Sequence, residues 1–340
     1  MRSRARGAGR AGFPPFRPGG GVGRHSVSWI DDLSPGFTGW RTWPATPNTA
    51  LEVFGCRGLS AGPLALITAG VHGDEYEGPA AIFSLAQLLS PDRVRGTIIA
   101  VPVANPAAFA AGTRINPEDG CNLARTFPGN PKGGPSDQLA AAIFGELAAP
   151  ADYVIDLHSG GVEYVFLPVA GFYGEPSSGN PSFQAARTFG LPALWQLPET
   201  GGVLSCEAWR HGKIAIGTEY LGAGQLSADG VRDYRNGIAA CLAAWGVLIS
   251  DPHVPKTPDV FTGDWELASA SGIFTASCRI GDLVTKGTTL AVITGTRGQV
   301  LQEFVSTCDG VILGLRSKAY TRDTTWAVLV GKRITNIDEL

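Results

Sequence analysis

Apolar residues follow two rhythms along this chain. Leu64–Val71, Thr97–Val103, Tyr153–Leu157 and Ile214–Thr218 are short, nearly continuous apolar runs and read as strands buried on both faces. Between them, Pro79–Leu89, Ser136–Ala148, Phe183–Phe189 and Cys206–His211 read as helices, with Ser136 as an N-cap and Gly212 closing the last one. The clearest helix is Val231–Leu248, where Val231, Tyr234, Ile238, Cys241, Leu242 and Trp245 recur at helical spacing and form one buried face. Buried strands alternating with helices predict an α/β fold: a three-layer α/β/α domain with a mostly parallel central sheet.

The rhythm changes after residue 251. Pro252, Pro255 and Pro258 mark a linker. Beyond it, Gly272–Ser277, Thr289–Thr294, Val300–Ser306, Gly310–Leu315 and Thr325–Gly331 are short β-like runs between glycine turns, with no helical period. They predict a small all-β C-terminal module. "GDLVTKGTTLAVIT" and "CDGVILGLR" resemble the half-repeats of biotinyl/lipoyl-like sandwich domains. "TGTRGQ" stands where true carriers bear their lysine hairpin, so the resemblance implies the shape without the attachment. At the other end, residues 1–24 are rich in Gly, Arg and Pro and predict disorder. The expected organisation is a disordered basic tail over 1–27, a catalytic domain over 28–252 and a β-sandwich over 253–340.

Composition narrows the function classes. Of 340 residues, 44% are hydrophobic and 17% charged, as in a soluble globular protein. There is no apolar run long enough for a transmembrane helix and no secretory h-region, so the expected place is the cytoplasm, without membrane contact. Residues 1–30 carry six Arg and no acid, which leaves −9 on the remainder against a total of −3 and argues against a nucleic-acid surface. None of the six Cys forms a CxxC pair; buried free thiols are expected.

The chemistry concentrates where strands end. In "AGVHGDEYEGPAAI", His72 and Glu75 follow the strand Leu64–Val71. His158 ends the strand Tyr153–Leu157. In parallel α/β sheets ligands sit at the carboxyl ends of strands. Two His, one Glu and an open fourth position make a catalytic zinc site. Glu219, after Ile214–Thr218, is a carboxylate in apolar company; it is either a proton shuttle beside the metal or a cap or ion-pair residue. Arg114 and Arg125, after Thr97–Val103, either face a substrate carbonyl or carboxylate or pair with Glu118 or Asp119. Asp156, two residues before His158, is either its orienting partner or an ordinary strand-end acid. Asp74 and Glu77 suit a helix N-terminus. His211 and His253 read as structural.

"HGDEYEG", "DGCNLARTFPG", "DLHSGG" and "GTEYLG", in this order, resemble the succinylglutamate desuccinylase/aspartoacylase family of zinc-carboxypeptidase-like hydrolases over roughly residues 45–335. The resemblance implies one Zn2+ per chain on His72, Glu75 and His158, with Glu219 as general base and acid. It implies Arg114 beside the scissile carbonyl and Arg125 on a substrate carboxylate, with Asn122 as a further substrate contact. Tyr320, in the β module, is a candidate hydrogen-bond donor to substrate. One departure stands out: Ala124 precedes Arg125 where many members have Asn. Members with this β module include deacetylases of N-acetyl diamino acids in ectoine breakdown, so the implied partner is a small N-acyl substrate. A dimer or tetramer is in keeping with the resemblance. Two other readings stand beside this deacylase: a metallocarboxypeptidase acting on peptides, and a non-catalytic metal-binding interaction protein.

Overall fold

The computed structural model describes residues 30, 32–250, 258–335 and 337. The expected tail over 1–27, most of the proline linker and His253 lie outside the described residues.

A hairpin opens the fold. Strands β1 (Thr38–Thr46) and β2 (Thr49–Arg57) are joined by Pro47-Asn48, a connection too short for a crossover, and so pair antiparallel. Then come β3 (Ser60–Thr68), α1 (Glu77–Ala86), β4 (Arg95–Val101), α2 (Pro106–Ala111) and α3 (Pro135–Ala142), which runs on as a π-turn through Ala148. After them follow β5 (Tyr153–Leu157), β6 (Tyr164–Phe172), α4 (Pro181–Phe189), β7 (Ala193–Gln196), α5 (Leu204–Arg210), β8 (Ile214–Gly222) and α6 (Ala228–Ala244).

Four strands, in the order β4-β3-β5-β8, are parallel to one another. Their side chains alternate between two cores. Ile67, Ile98, Ile155 and Ile216 meet α1, α4 and α6 on one face. Leu66, Ile99, Val154 and Ala215 meet α3, its π-turn and α5 on the other. Helices thus cover both faces of these strands. The expectation of a mostly parallel sheet is corrected: the sheet is mixed. β2 joins β4 antiparallel, and β6 joins β8 antiparallel. Residues 158–163 link β5 to β6 and are too few for a crossover. β6 therefore runs opposite to β5, and to β8, which is parallel to β5.

The remaining strands are β9 (Asp259–Thr262), β10 (Trp265–Leu267), β11 (Gly272–Ala276), β12 (Leu283–Val284), β13 (Thr289–Thr294), β14 (Val300–Val305), β15 (Gly310–Arg316), β16 (Tyr320–Thr321) and β17 (Trp326–Arg333). They do not stand apart from the rest. β9 extends the sheet parallel to β7, β17 pairs with β9, β15 pairs with β17, and β15 returns to pair with β6. The strands β6-β7-β9-β17-β15 close into a ring. Its interior is packed with buried Phe166, Trp195, Phe261, Leu313 and Leu329. A second sheet, in the order β14-β13-β11-β16, contributes Phe274, Leu290, Ile293 and Phe304 to a core shared with Ile312 and Val328.

Smaller expectations also change. Gly134 caps α3 and Pro135 takes its first position, so Ser136 is not the cap. The carboxylate of Asp119 accepts instead from the Ser136 amide at 2.8 Å and its hydroxyl at 3.0 Å. All six Cys are free, but only Cys56, Cys206 and Cys241 are buried, and Cys121 is exposed. Among the described residues no helix is long and apolar enough to cross a membrane.

Candidate metal centre and substrate cleft

The chain bends sharply after β3, and this bend delivers His72 and Glu75. It passes so close to α2 that a Cβ on Gly73 would lie 2.0 Å from the Ala108 backbone. Only glycine fits there. His72 and Glu75 are consequently held inside the protein, at 3% and 2% exposure. His158 follows β5 directly, and its carbonyl accepts a hydrogen bond from the buried Tyr234 hydroxyl on α6. The His72, Glu75 and His158 donor atoms converge within 4.8 Å of one another.

Each imidazole is aimed from behind. Asp156 Oδ2 lies 3.1 Å from His158 Nε2, and Asp156 is itself held by the Thr68 hydroxyl at 2.8 Å. Asn122 Oδ1 lies 3.0 Å from His72 Nε2. With both Nε2 atoms occupied, both Nδ1 atoms face Glu75, at 2.7 Å for His72 and 3.0 Å for His158. This arrangement of an outer partner, an imidazole and a free ring nitrogen is how proteins fix metal-binding histidines. Asp156 thus orients His158, as one of the sequence alternatives had it. Asn122 also accepts from the Ala124 amide at 2.9 Å and sits behind His72, away from the cleft-lining surface.

Charge is unevenly held. Burial and the nearby Arg114 lower the His72 pKa to about 4, which leaves a neutral imidazole ready to ligate. Burial opposes charge on His158, but Asp156 and Glu75 outweigh it and raise its pKa, so a cation bound there would displace the proton that faces Glu75. Burial likewise works against charge on Glu75, yet the two imidazoles keep its carboxyl well below the usual range. Glu75 also takes Arg114 Nη1 and the Ser159 amide, each at 3.1 Å. Two nitrogens and one carboxylate, buried and convergent, fit a divalent cation of the zinc type.

Glu219 does not follow β8, as the short strand Ile214–Thr218 suggested; it lies within it, opposite Val169 on β6. Pairing with β6 prolongs the strand beyond its apolar run. Burial, then the charge of Glu75, pushes the Glu219 carboxyl well above its ordinary value. Its Oε2 is shielded from solvent and has no hydrogen-bond partner. Arg114 pairs with Glu75, and Asp119 is spent on α3; among the described residues neither arginine pairs with Glu118 or Asp119. Arg125 has no carboxylate partner among the described residues; its Nη1 donates to the Ala124 carbonyl.

His72, His158, Glu219, Arg114 and Arg125 all open onto one cleft. Among the lining residues that were not anticipated are Trp265 and Trp326, from β10 and β17. Their rings stack at 5.3 Å, and the Arg114 and Arg125 guanidinia lie 5.8 and 5.4 Å from the Trp326 ring. An indole in a short strand such as β10 or among the apolar residues of β17 has no sequence signal that points to a site. Tyr320 is 56% exposed on β16, pairs with β11, and is not among the lining residues. Asp74 and Glu77 serve as ties: Asp74 accepts from the Val162 amide at 2.9 Å, and Glu77 from the Ser227 amide at 3.0 Å. His211 packs on Phe144 and its Nδ1 reaches the Glu207 carbonyl at 2.7 Å.

Residues 61–245 match the model of the succinylglutamate desuccinylase/aspartoacylase catalytic domain. The chain is 33% identical over 270 residues to N-alpha-acetyl-L-2,4-diaminobutyric acid deacetylase of Halomonas elongata, an alignment covering 76% of this chain and 79% of that one. The product-bound structure of the ectoine utilization protein EutE (DoeB) from Ruegeria pomeroyi superposes with a TM-score of 0.78 at 28% identity, over 88% of this chain and 95% of that one. A succinylglutamate desuccinylase/aspartoacylase from Rhodobacter sphaeroides gives the same TM-score, 0.78, at 26% identity, over 88% and 97%.

Proposed function

As the chain belongs to the succinylglutamate desuccinylase/aspartoacylase family, we propose that it is a zinc-dependent deacylase that hydrolyses the amide of a small N-acyl amino acid. The observation that carries this reading is the convergence of His72, Glu75 and His158 on the cleft that Glu219 and the two arginines share. Zinc held by these three residues would acidify a water molecule and polarise the carbonyl. The chain's own groups do the rest. Arg125, free of any described carboxylate, binds the substrate carboxylate and fixes the amide in the cleft. Glu219 accepts the proton of the attacking water as the new C–O bond forms. Arg114 faces the negative charge that develops on the carbonyl oxygen. Glu219 then delivers its proton to the amide nitrogen as the C–N bond breaks, releasing amine and carboxylate. Its raised pKa suits both halves of this exchange.

Amine release from a panel of N-acetyl, N-succinyl and N-formyl amino acids and diamino acids tests the reading. Zinc-loaded protein should release amine, and chelation should abolish the release until zinc is restored. Glu219→Gln should keep its metal and lose turnover by about 10²–10⁴-fold. Full activity in Glu219→Gln, or after zinc removal, would overturn the assignment.

A further inference from the structure

Besides its ionic groups, His72, His158, Arg114, Arg125 and Glu219, the cleft has an apolar lining that includes Val169, Trp195, Leu197, Val203, Trp265 and Trp326. Leu197 lies directly over Gly171, where a Cβ would come within 2.5 Å of it. Tyr173 and Ser205, also in the lining, share one hydrogen bond at 3.0 Å, and neither supplies a negative charge to a ligand. Among the described residues that line the cleft, Glu219 is the sole carboxylate, and the proposed reaction uses it.

Resting on the deacylase reading, we propose that the amine half of the substrate carries an uncharged apolar side chain, aromatic or branched aliphatic, and not a second ammonium. A carboxylate bound at Arg125 lies beside Trp326, 5.4 Å from the guanidinium, with Trp265 stacked behind. A substituent on the same carbon as that carboxylate therefore projects along an indole wall. An apolar group there gains from leaving water. An ammonium loses its hydration and finds no carboxylate beyond the one the proposed reaction uses. Cation–π contact with Trp326 does not rescue it, because Arg114 and Arg125 already lie against that ring. This preference separates the chain from its Halomonas elongata relative, whose name specifies a diamino acid.

The test compares two product amino acids that differ only in their side chains, so that turnover does not intrude. Titration calorimetry on the zinc-loaded full chain should show L-phenylalanine bound at least about tenfold more tightly than L-2,4-diaminobutyrate. Val203 caps α5 without a side-chain bond, a position that favours Asp. Val203→Asp should therefore fold and narrow the ratio by about fivefold or more, by placing a carboxylate in the cleft. Equal or tighter binding of L-2,4-diaminobutyrate by the unmodified chain would overturn the proposal, as would failure of both to bind. Hydrolysis of the two N-acetyl compounds is scored separately. A chain that prefers phenylalanine but cleaves neither amide keeps the proposal about the cleft and loses the deacylase reading.

Discussion

Asp156 touches nothing that reacts, yet its contact with His158 Nε2 decides which ring nitrogen faces the metal centre. Asp156→Asn should leave the fold intact and weaken zinc binding by about 10–100-fold, read by competition with a chromogenic chelator. An unchanged affinity would mean that the backbone after β5 aims His158 unaided. Glu219 makes a pH prediction. Its carboxyl is raised by burial and by Glu75, so it gains a proton at a pH where an ordinary carboxyl remains ionised. The base form is lost as pH falls through that raised value. The acid limb of kcat/KM should therefore lie above the ordinary carboxylate range and vanish in what little activity Glu219→Gln retains. At this scale the sequence was informative for His72, His158 and Glu219, since each is a polar residue in or just past an apolar run. It offered Asn122 as a substrate contact and not as the partner of His72, and it passed over Trp326, because both roles depend on a contact between segments far apart in the chain.

Elements are tied to each other by single polar bonds that can be broken one at a time. Ser227 caps α6, its hydroxyl accepting from the Gly230 amide at 3.1 Å, while its own amide donates to Glu77 on α1. Ser227→Ala should cost about 1 kcal/mol in urea unfolding, with the slope unchanged. A loss within error would show that the Glu77 bond alone holds the helix start. The helices and parallel strands were legible because their patterns are local. β6 was not: Pro168 interrupts "YVFLPVAGF", and a proline lowers the strand reading of any run. β7 has 4 residues and draws its stability from β6 and β9 on either side. Neither its length nor its composition distinguishes it from a loop.

For the molecule as a whole, the expected division at the proline linker does not describe how the strands are bonded. β9 and β15 hydrogen-bond directly to β7 and β6. A chain ending at residue 250 would expose both strands' edges and the ring core of Phe166 and Trp195. It should aggregate on expression, and the full chain should melt in one calorimetric transition. Two well-separated transitions, or a soluble and folded 1–250 fragment, would show that the two parts are independent. Composition and periodicity could not reveal the ring, because closure joins residues such as Phe166 and Gly314 that are far apart in the chain.

That closure also sets an order in time. A ribosome delivers His72, Glu75, His158 and Glu219 well before it delivers Trp326, and β17 is the described strand made after all the others. The residues proposed to hold a cation and carry a proton thus exist on a nascent chain that still lacks the Trp326 wall. The proposed hydrolysis would need the closed ring, so a half-made copy would have nothing to seat an amide against.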